Sequence, residues 1–147
     1  MEDYSGKADI WEALYKRAKE IYSPEQISPF INVKKVVCAL EAEDGTIYTG
    51  FSIESDCGVA DLCAERTAAI KMYSDSGQKI VKRLIVFRDR PPEKGSTSIP
   101  CGACREFFMQ LSNLNSKMEI LIDYESREII TLEDLIPNWW GLERYDI

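Results

Sequence analysis

The chain has 147 residues, of which 45% are hydrophobic and 29% charged. That size and composition suit one soluble globular domain with its own hydrophobic core and argue against a disordered or membrane-embedded chain. The 18 basic and 25 acidic residues sum to a net charge of -7, which repels phosphate backbones and disfavours a nucleic-acid partner.

In chain order, Ile10, Trp11, Leu14, Tyr15, Ala18, Ile21 and Tyr22 recur at spacings of three and four, so an amphipathic helix is predicted over Asp9 to Tyr22, ended by Ser23-Pro24. Val33 to Ala42 and Thr46 to Glu54 read as two strands of a hairpin around the turn Glu43-Asp44-Gly45. After the loop Asp56-Cys57-Gly58, strong helix formers run from Leu62 to Tyr73, with Asp61 as the predicted N-cap and Ser76-Gly77 as the stop. Lys82 to Phe87 has the short apolar run of a strand buried on both faces. Pro91-Pro92 closes it, and the polar stretch Glu93 to Ser98 is a loop. Pro100 stands where a first-turn proline would, ahead of a helix through about Leu114. Met118 to Tyr124 and Ile129 to Thr131 are predicted strands, and Leu132 to Ile136 a short helix. The order α-β-β-α-β-α-β-β predicts an α/β fold, with one mixed five-stranded sheet in a three-layer α/β/α sandwich.

No apolar run approaches the roughly 20 residues of a membrane-spanning helix. The acidic start Met1-Glu2-Asp3-Tyr4 is unlike a signal peptide, so a cytoplasmic location and no membrane partner are expected. The five cysteines are an odd number, which argues against a disulfide framework and for metal binding or catalysis. The chain has no histidine, which excludes Ser-His-Asp and Cys-His mechanisms and any imidazole ligand.

Cys101 and Cys104 are two residues apart near a predicted helix start, a spacing that puts both sulfurs on one side of the first turn. Cys63 begins another predicted helix, and helix N-termini are expected to make all three thiols ionise more readily. Three thiolate ligands leave one position of a tetrahedral zinc open for water, as in a catalytic site, and Glu65 stands beside it as base. Three thiolates with Zn²⁺ sum to -1, so a compensating cation is needed, and Arg66 and Arg105 each directly follow a site residue. Cys38, in an apolar strand, reads as a buried free thiol, and Cys57 as solvent-side or packing.

The segments Cys63-Ala64-Glu65-Arg66-Thr67-Ala68 and Pro100-Cys101-Gly102-Ala103-Cys104-Arg105 resemble the two signature segments of cytidine deaminases of the three-cysteine kind. The similarity runs from about Ala39 to Leu111. It implies that residues 1–147 form a single zinc-dependent deaminase domain with one Zn²⁺ per subunit held by Cys63, Cys101 and Cys104. It also implies that Glu65 carries protons to the ring nitrogen and the departing ammonia, and that Arg66 is the better of the two arginines to offset the thiolate charge. The substrate expected from it is a small-molecule nucleoside or aminopyrimidine, bound in part by Ala64, and the assembly a homotetramer or homodimer. Gly50-Phe51-Ser52-Ile53-Glu54 looks like the family's ribose-binding strand: Glu54 matches, while Ser52 replaces an Asn. Ser28 to Lys35 and Gly58 also depart from the family pattern. The resemblance implies cytidine or deoxycytidine as substrate, while these departures imply a rebuilt pocket and keep the antibiotic blasticidin S, or a non-catalytic zinc- or ligand-binding role, as alternatives. Trp139, Trp140 and Tyr145 read as packing residues rather than a stacking platform, and Lys34-Lys35 and Lys82-Arg83 as solvated surface.

Overall fold

In the computed structural model, residues 9–146 are described, so the acidic Met1 to Tyr4 segment lies outside the described residues. Asp9 caps helix α1 (Ile10–Ile21), its carboxylate accepting from the backbone N–H of Trp11 at 3.0 Å and of Glu12 at 3.4 Å. A two-residue strand β1 (Glu25–Gln26) follows, then β2 (Asn32–Ala42) and β3 (Ile47–Glu54) form the expected hairpin. After a 3-10 turn at Gly58–Ala60 come α2 (Ala64–Ser76), β4 (Val81–Phe87) and α3 (Gly102–Leu111). A 3-10 turn over Asn113–Lys117, β5 (Glu119–Asp123), β6 (Glu128–Thr131), α4 (Leu132–Leu135) and a 3-10 turn over Leu142–Asp146 complete the chain.

The sheet is mixed, as expected, but has six strands rather than five. Its path is β1-β2-β4-β5-β6, with β3 also paired to β2. Only β4 and β5 are parallel, joined by the crossover through α3. The sixth strand is β1, whose two residues pair with Asn32 and Val33 and carry no alternation of their own.

Side-chain alternation along β2 builds the two cores. Val37 and Ala39 join Ile85, Phe87 and Leu121 under Trp11, Leu14 and Ala18 of α1. Cys38, Leu40 and Ala42 join Leu84, Val86 and Ile120 under Ala68, Met72 and Phe108 of α2 and α3. This is the expected three-layer sandwich, and its second core places the N-termini of α2 and α3 at one end of the sheet.

Three local expectations differ. Asp61 does not cap α2: its carboxylate accepts from the N–H and hydroxyl of Ser55, and Cys63 is the N-cap instead. Pro100 precedes the N-cap Cys101 rather than occupying the first turn, and α3 stops at Leu111. The reason is Asn115, fully buried beyond that end, whose amide donates to the Phe108 and Lys79 carbonyls while its oxygen accepts from Val81 N–H. Arg83 is not free surface either, because it bridges Glu41 on β2 and Glu119 on β5 across the sheet.

Candidate active site

Cys63 and Cys101 are the N-caps of α2 and α3, and Cys104 lies in the first turn of α3. Neither N-cap cysteine uses its side chain to cap its own helix. The Sγ atoms of Cys63 and Cys101 lie 3.5 Å apart and those of Cys101 and Cys104 3.6 Å apart, with all three within 4.8 Å of one another. A disulfide would need about 2.05 Å, and all three thiols are free. Zn–S bonds of about 2.3 Å in tetrahedral geometry set sulfurs about 3.8 Å apart, so the three donors fit zinc and leave a fourth position open.

The thiols do not all ionise more readily, contrary to the expectation from helix N-termini. Burial opposes ionisation of Cys101, but the Cys104 backbone N–H, the Cys63 and Cys104 thiols and the Ala103 backbone N–H together outweigh it and hold its pKa below the usual thiol range. Burial pushes Cys63 up despite Arg66, and Cys104 higher still, where the Glu65 charge adds to burial. Desolvation and crowding of like charges exceed the helix-end field, and a bound metal would displace those protons.

Arg66 lies one helical turn beyond Cys63 and points its Nη2 at that sulfur, 3.5 Å away. Among the described residues, its Nε is buried without a hydrogen-bond partner. Arg105 does not reach the sulfurs: its Nε donates to the Pro100 carbonyl at 2.8 Å and its Nη1 to the Leu135 carbonyl at 3.1 Å.

Glu65, next along α2, is 3% exposed. Burial pushes its carboxyl up to about 7, against its own backbone N–H and the Arg66 charge. It opens onto a cavity of about 280 Å³ whose wall also includes Cys63, Ala64, Cys101, Ser52 and Glu54. Of the residues expected to hold metal, substrate or proton, Cys63, Cys101, Ala64, Glu65, Ser52 and Glu54 line this space, and Arg66, Arg105 and Cys104 do not. Phe87 and Arg88, from the C-terminal end of β4, line it too and were not foreseen. Their signal is positional, since ligands of open α/β sheets bind beyond the carboxyl ends of the strands. A wider depression of about 630 Å³ near Arg90 and Asp123 contains none of the sulfurs.

The sugar-side candidates are already engaged. Ser52 is buried and its Oγ accepts from Val36 N–H at 3.0 Å, a contact made where the β2–β3 register shifts between Val33 and Val37. Lys34, within that shift, takes a left-handed conformation at φ 65°. Glu54 pairs with Lys35 at 3.5 Å. Cys57 is exposed and Cys38 buried, where burial pushes its thiol up. Trp139, Trp140 and Tyr145 lie against α3 and do not line the cavity. Among the described residues, no helix is long and apolar enough to cross a membrane.

Residues 11–117 match the family described as the cytidine and deoxycytidylate deaminase zinc-binding region. A cytidine deaminase of Sporosarcina psychrophila is 46% identical over 108 residues, covering 74% of this chain and 76% of the relative. One from Halalkalibacterium halodurans is 31% identical over 74% of this chain and 79% of its own length. The crystal structure of cytidine deaminase from Mycobacterium tuberculosis superposes with a TM-score of 0.68 at 25% identity, over 91% of this chain and 99% of that one. With three zinc-spaced sulfurs and a buried glutamate at the same cavity, this chain belongs to the cytidine and deoxycytidylate deaminase family.

Proposed function

We propose that the protein is a zinc-dependent hydrolase that converts a cytosine nucleoside, cytidine or deoxycytidine, to its uracil counterpart and ammonia. The observation that carries this reading is the position of Glu65, buried at the cavity wall one residue from Ala64 and two from the Cys63 ligand. Cys63, Cys101 and Cys104 would hold the zinc, which when bound supplies the Lewis acidity that makes water a nucleophile near neutral pH.

The chain's own groups do the rest. Glu65 takes one proton from the attacking water and passes it to the ring nitrogen, then takes the second proton from the hydroxyl this leaves on the ring carbon and delivers it to the amine, which departs as ammonia as the carbonyl forms; a carboxyl near pKa 7 is suited to both directions of transfer. Arg66 offsets thiolate charge at Cys63. Ala64, Ser52 and Glu54 all line the cavity, which supports assigning the Ala64 backbone to the base and Ser52 and Glu54 to the sugar. The net charge of -7 favours a free nucleoside over a polynucleotide. Ile70 and Tyr73, exposed on α2, support association of copies into the expected homotetramer or homodimer, measurable by light scattering.

The Ser52 to Val36 bond favours a second reading of the substrate. With its oxygen accepting from the backbone, Ser52 keeps one hydrogen to offer the ligand, so a different aminopyrimidine such as blasticidin S fits the same chemistry. Steady-state kinetics of the zinc-loaded protein on cytidine, deoxycytidine and blasticidin S test both. Turnover of either nucleoside with the higher kcat/KM supports the first, preference for the antibiotic supports the second, and turnover of none of the three contradicts both.

A further inference from the structure

The segment after α4 runs along α3, the helix whose start holds Cys101 and Cys104. Arg105 makes the first attachment. Its one guanidinium binds two backbone carbonyls, that of Pro100, which immediately precedes the Cys101 ligand, and that of Leu135 at the end of α4. One residue further, the Glu106 carboxylate accepts from both indole N–H groups, that of Trp139 at 3.1 Å and that of Trp140 at 3.1 Å. At the far end of α3, the Tyr145 hydroxyl contacts the carbonyls of Met109 at 2.8 Å and Gln110 at 2.9 Å. Those carbonyls belong to the last turn, where a helix has no acceptors' partners of its own. Gly141 lets the segment fold flat on itself, because a Cβ there would lie 2.5 Å from the Trp139 ring.

The attachments are therefore spread over both ends of the one helix that supplies two of the three sulfurs. A zinc site tolerates ligand distances only within about 0.2 Å, and the position of Cys101 depends on the Pro100 peptide that Arg105 grips. We propose that the segment Leu135 to Tyr145 is a latch that keeps α3 in its metal-holding position, with Arg105 as the positioning residue that transmits the latch to Cys101. A bidentate guanidinium is needed for that role, since a lysine ammonium offers no planar fork to two carbonyls. This inference rests on the zinc-site reading above.

Zinc transfer from the zinc-loaded, full-length protein to the chromogenic chelator 4-(2-pyridylazo)resorcinol tests it, in wild type, Arg105→Lys, Glu106→Gln and Tyr145→Phe. Arg105→Lys is expected to release zinc about 10- to 100-fold faster, the scale of lost outer-sphere support at metal sites. The two milder variants are expected to release it several-fold faster, with KM for cytidine within twofold of wild type because no latch residue lines the cavity. Release rates within twofold of wild type in all three variants, even with lower thermal stability, would overturn the proposal. The readout needs no substrate, so a wild type that holds one zinc but deaminates nothing would contradict the proposed function and not the latch.

Discussion

Gly50 of β3 and Ala64 in the first turn of α2 are in backbone contact: a Cβ on Gly50 would stand 2.4 Å from the Ala64 carbonyl oxygen and 2.4 Å from the Ala68 nitrogen. Both obstacles are helix backbone, which cannot swing aside as a side chain can. The same junction is tied by Thr67, whose hydroxyl donates to the Phe51 carbonyl at 2.9 Å. The close approach sets how near Cys63 and Glu65 come to the cavity wall formed by β3. Gly50→Ala is expected to destabilise the fold by about 3 kcal/mol, the upper end for overpacking, read as a lower denaturation midpoint with unchanged m-value. It should also weaken zinc binding, because α2 must move outward with its ligand. A variant as stable as wild type would show that α2 does not seat on the Gly50 backbone.

Asn115 is the buried polar residue on which the end of α3 depends. Its side chain satisfies Val81 N–H and the Lys79 and Phe108 carbonyls, all inside the fold. Asn115→Leu fills a similar volume and takes the Asn115 partner from Val81 N–H and the Lys79 carbonyl, while the Phe108 carbonyl keeps Ser112 N–H. At about 1 to 3 kcal/mol for each of the two orphaned groups, and less than additive, a loss of about 2 to 4 kcal/mol is expected in denaturant unfolding. A loss under about 1 kcal/mol would mean that water replaces the amide.

Asp9 supplies the pH prediction. The hydrogen bonds from Arg127 hold its carboxyl below the usual range, opposed by burial, and the α1 N-cap bonds act in the same direction as Arg127. A depressed carboxylate stabilises the fold above its unfolded pKa of about 3.9 and loses that contribution as pH falls through the folded value. Both side chains are about one-third exposed or more, 39% for Asp9 and 33% for Arg127, so solvent screening limits the pair to about 0.5 to 1 kcal/mol. Asp9→Asn keeps a capping oxygen and removes the charge. Wild type should therefore exceed it in stability by about that amount at pH 7, with the gap closing below about pH 4. A gap that persists at pH 2.5 would assign it to capping rather than charge.

The metal cluster was legible because its signals are local: Cys63-Ala64-Glu65 and Pro100-Cys101-Gly102-Ala103-Cys104 each mark a helix start, and the sheet only has to bring the two starts together. Helix boundaries within those segments were less so. Asp61 is a good N-cap residue by type, yet Ser55 claims its carboxylate from six residues away. Strand β1 has two residues and is defined only by its partner. Arg83 has no helical or hairpin neighbour of opposite charge, and its partners Glu41 and Glu119 meet it only across the sheet. Arg105 carries the charge expected of a thiolate partner, but the fold turns it toward two carbonyls that no spacing rule connects. Phe87 and Arg88 enter the cavity wall through tertiary topology alone.

The proton-carrying role of Glu65 is tested most directly by Glu65→Gln. The amide is nearly the same size, cannot carry a proton at neutral pH and leaves Cys63, Cys101 and Cys104 untouched. Zinc content measured by atomic emission on the same sample as steady-state deamination of the preferred nucleoside should show close to full metal occupancy. The rate should fall at least about a hundredfold, the scale of general acid-base catalysis. A zinc-replete Glu65→Gln protein that deaminates within a few-fold of wild type would contradict the role assigned to Glu65.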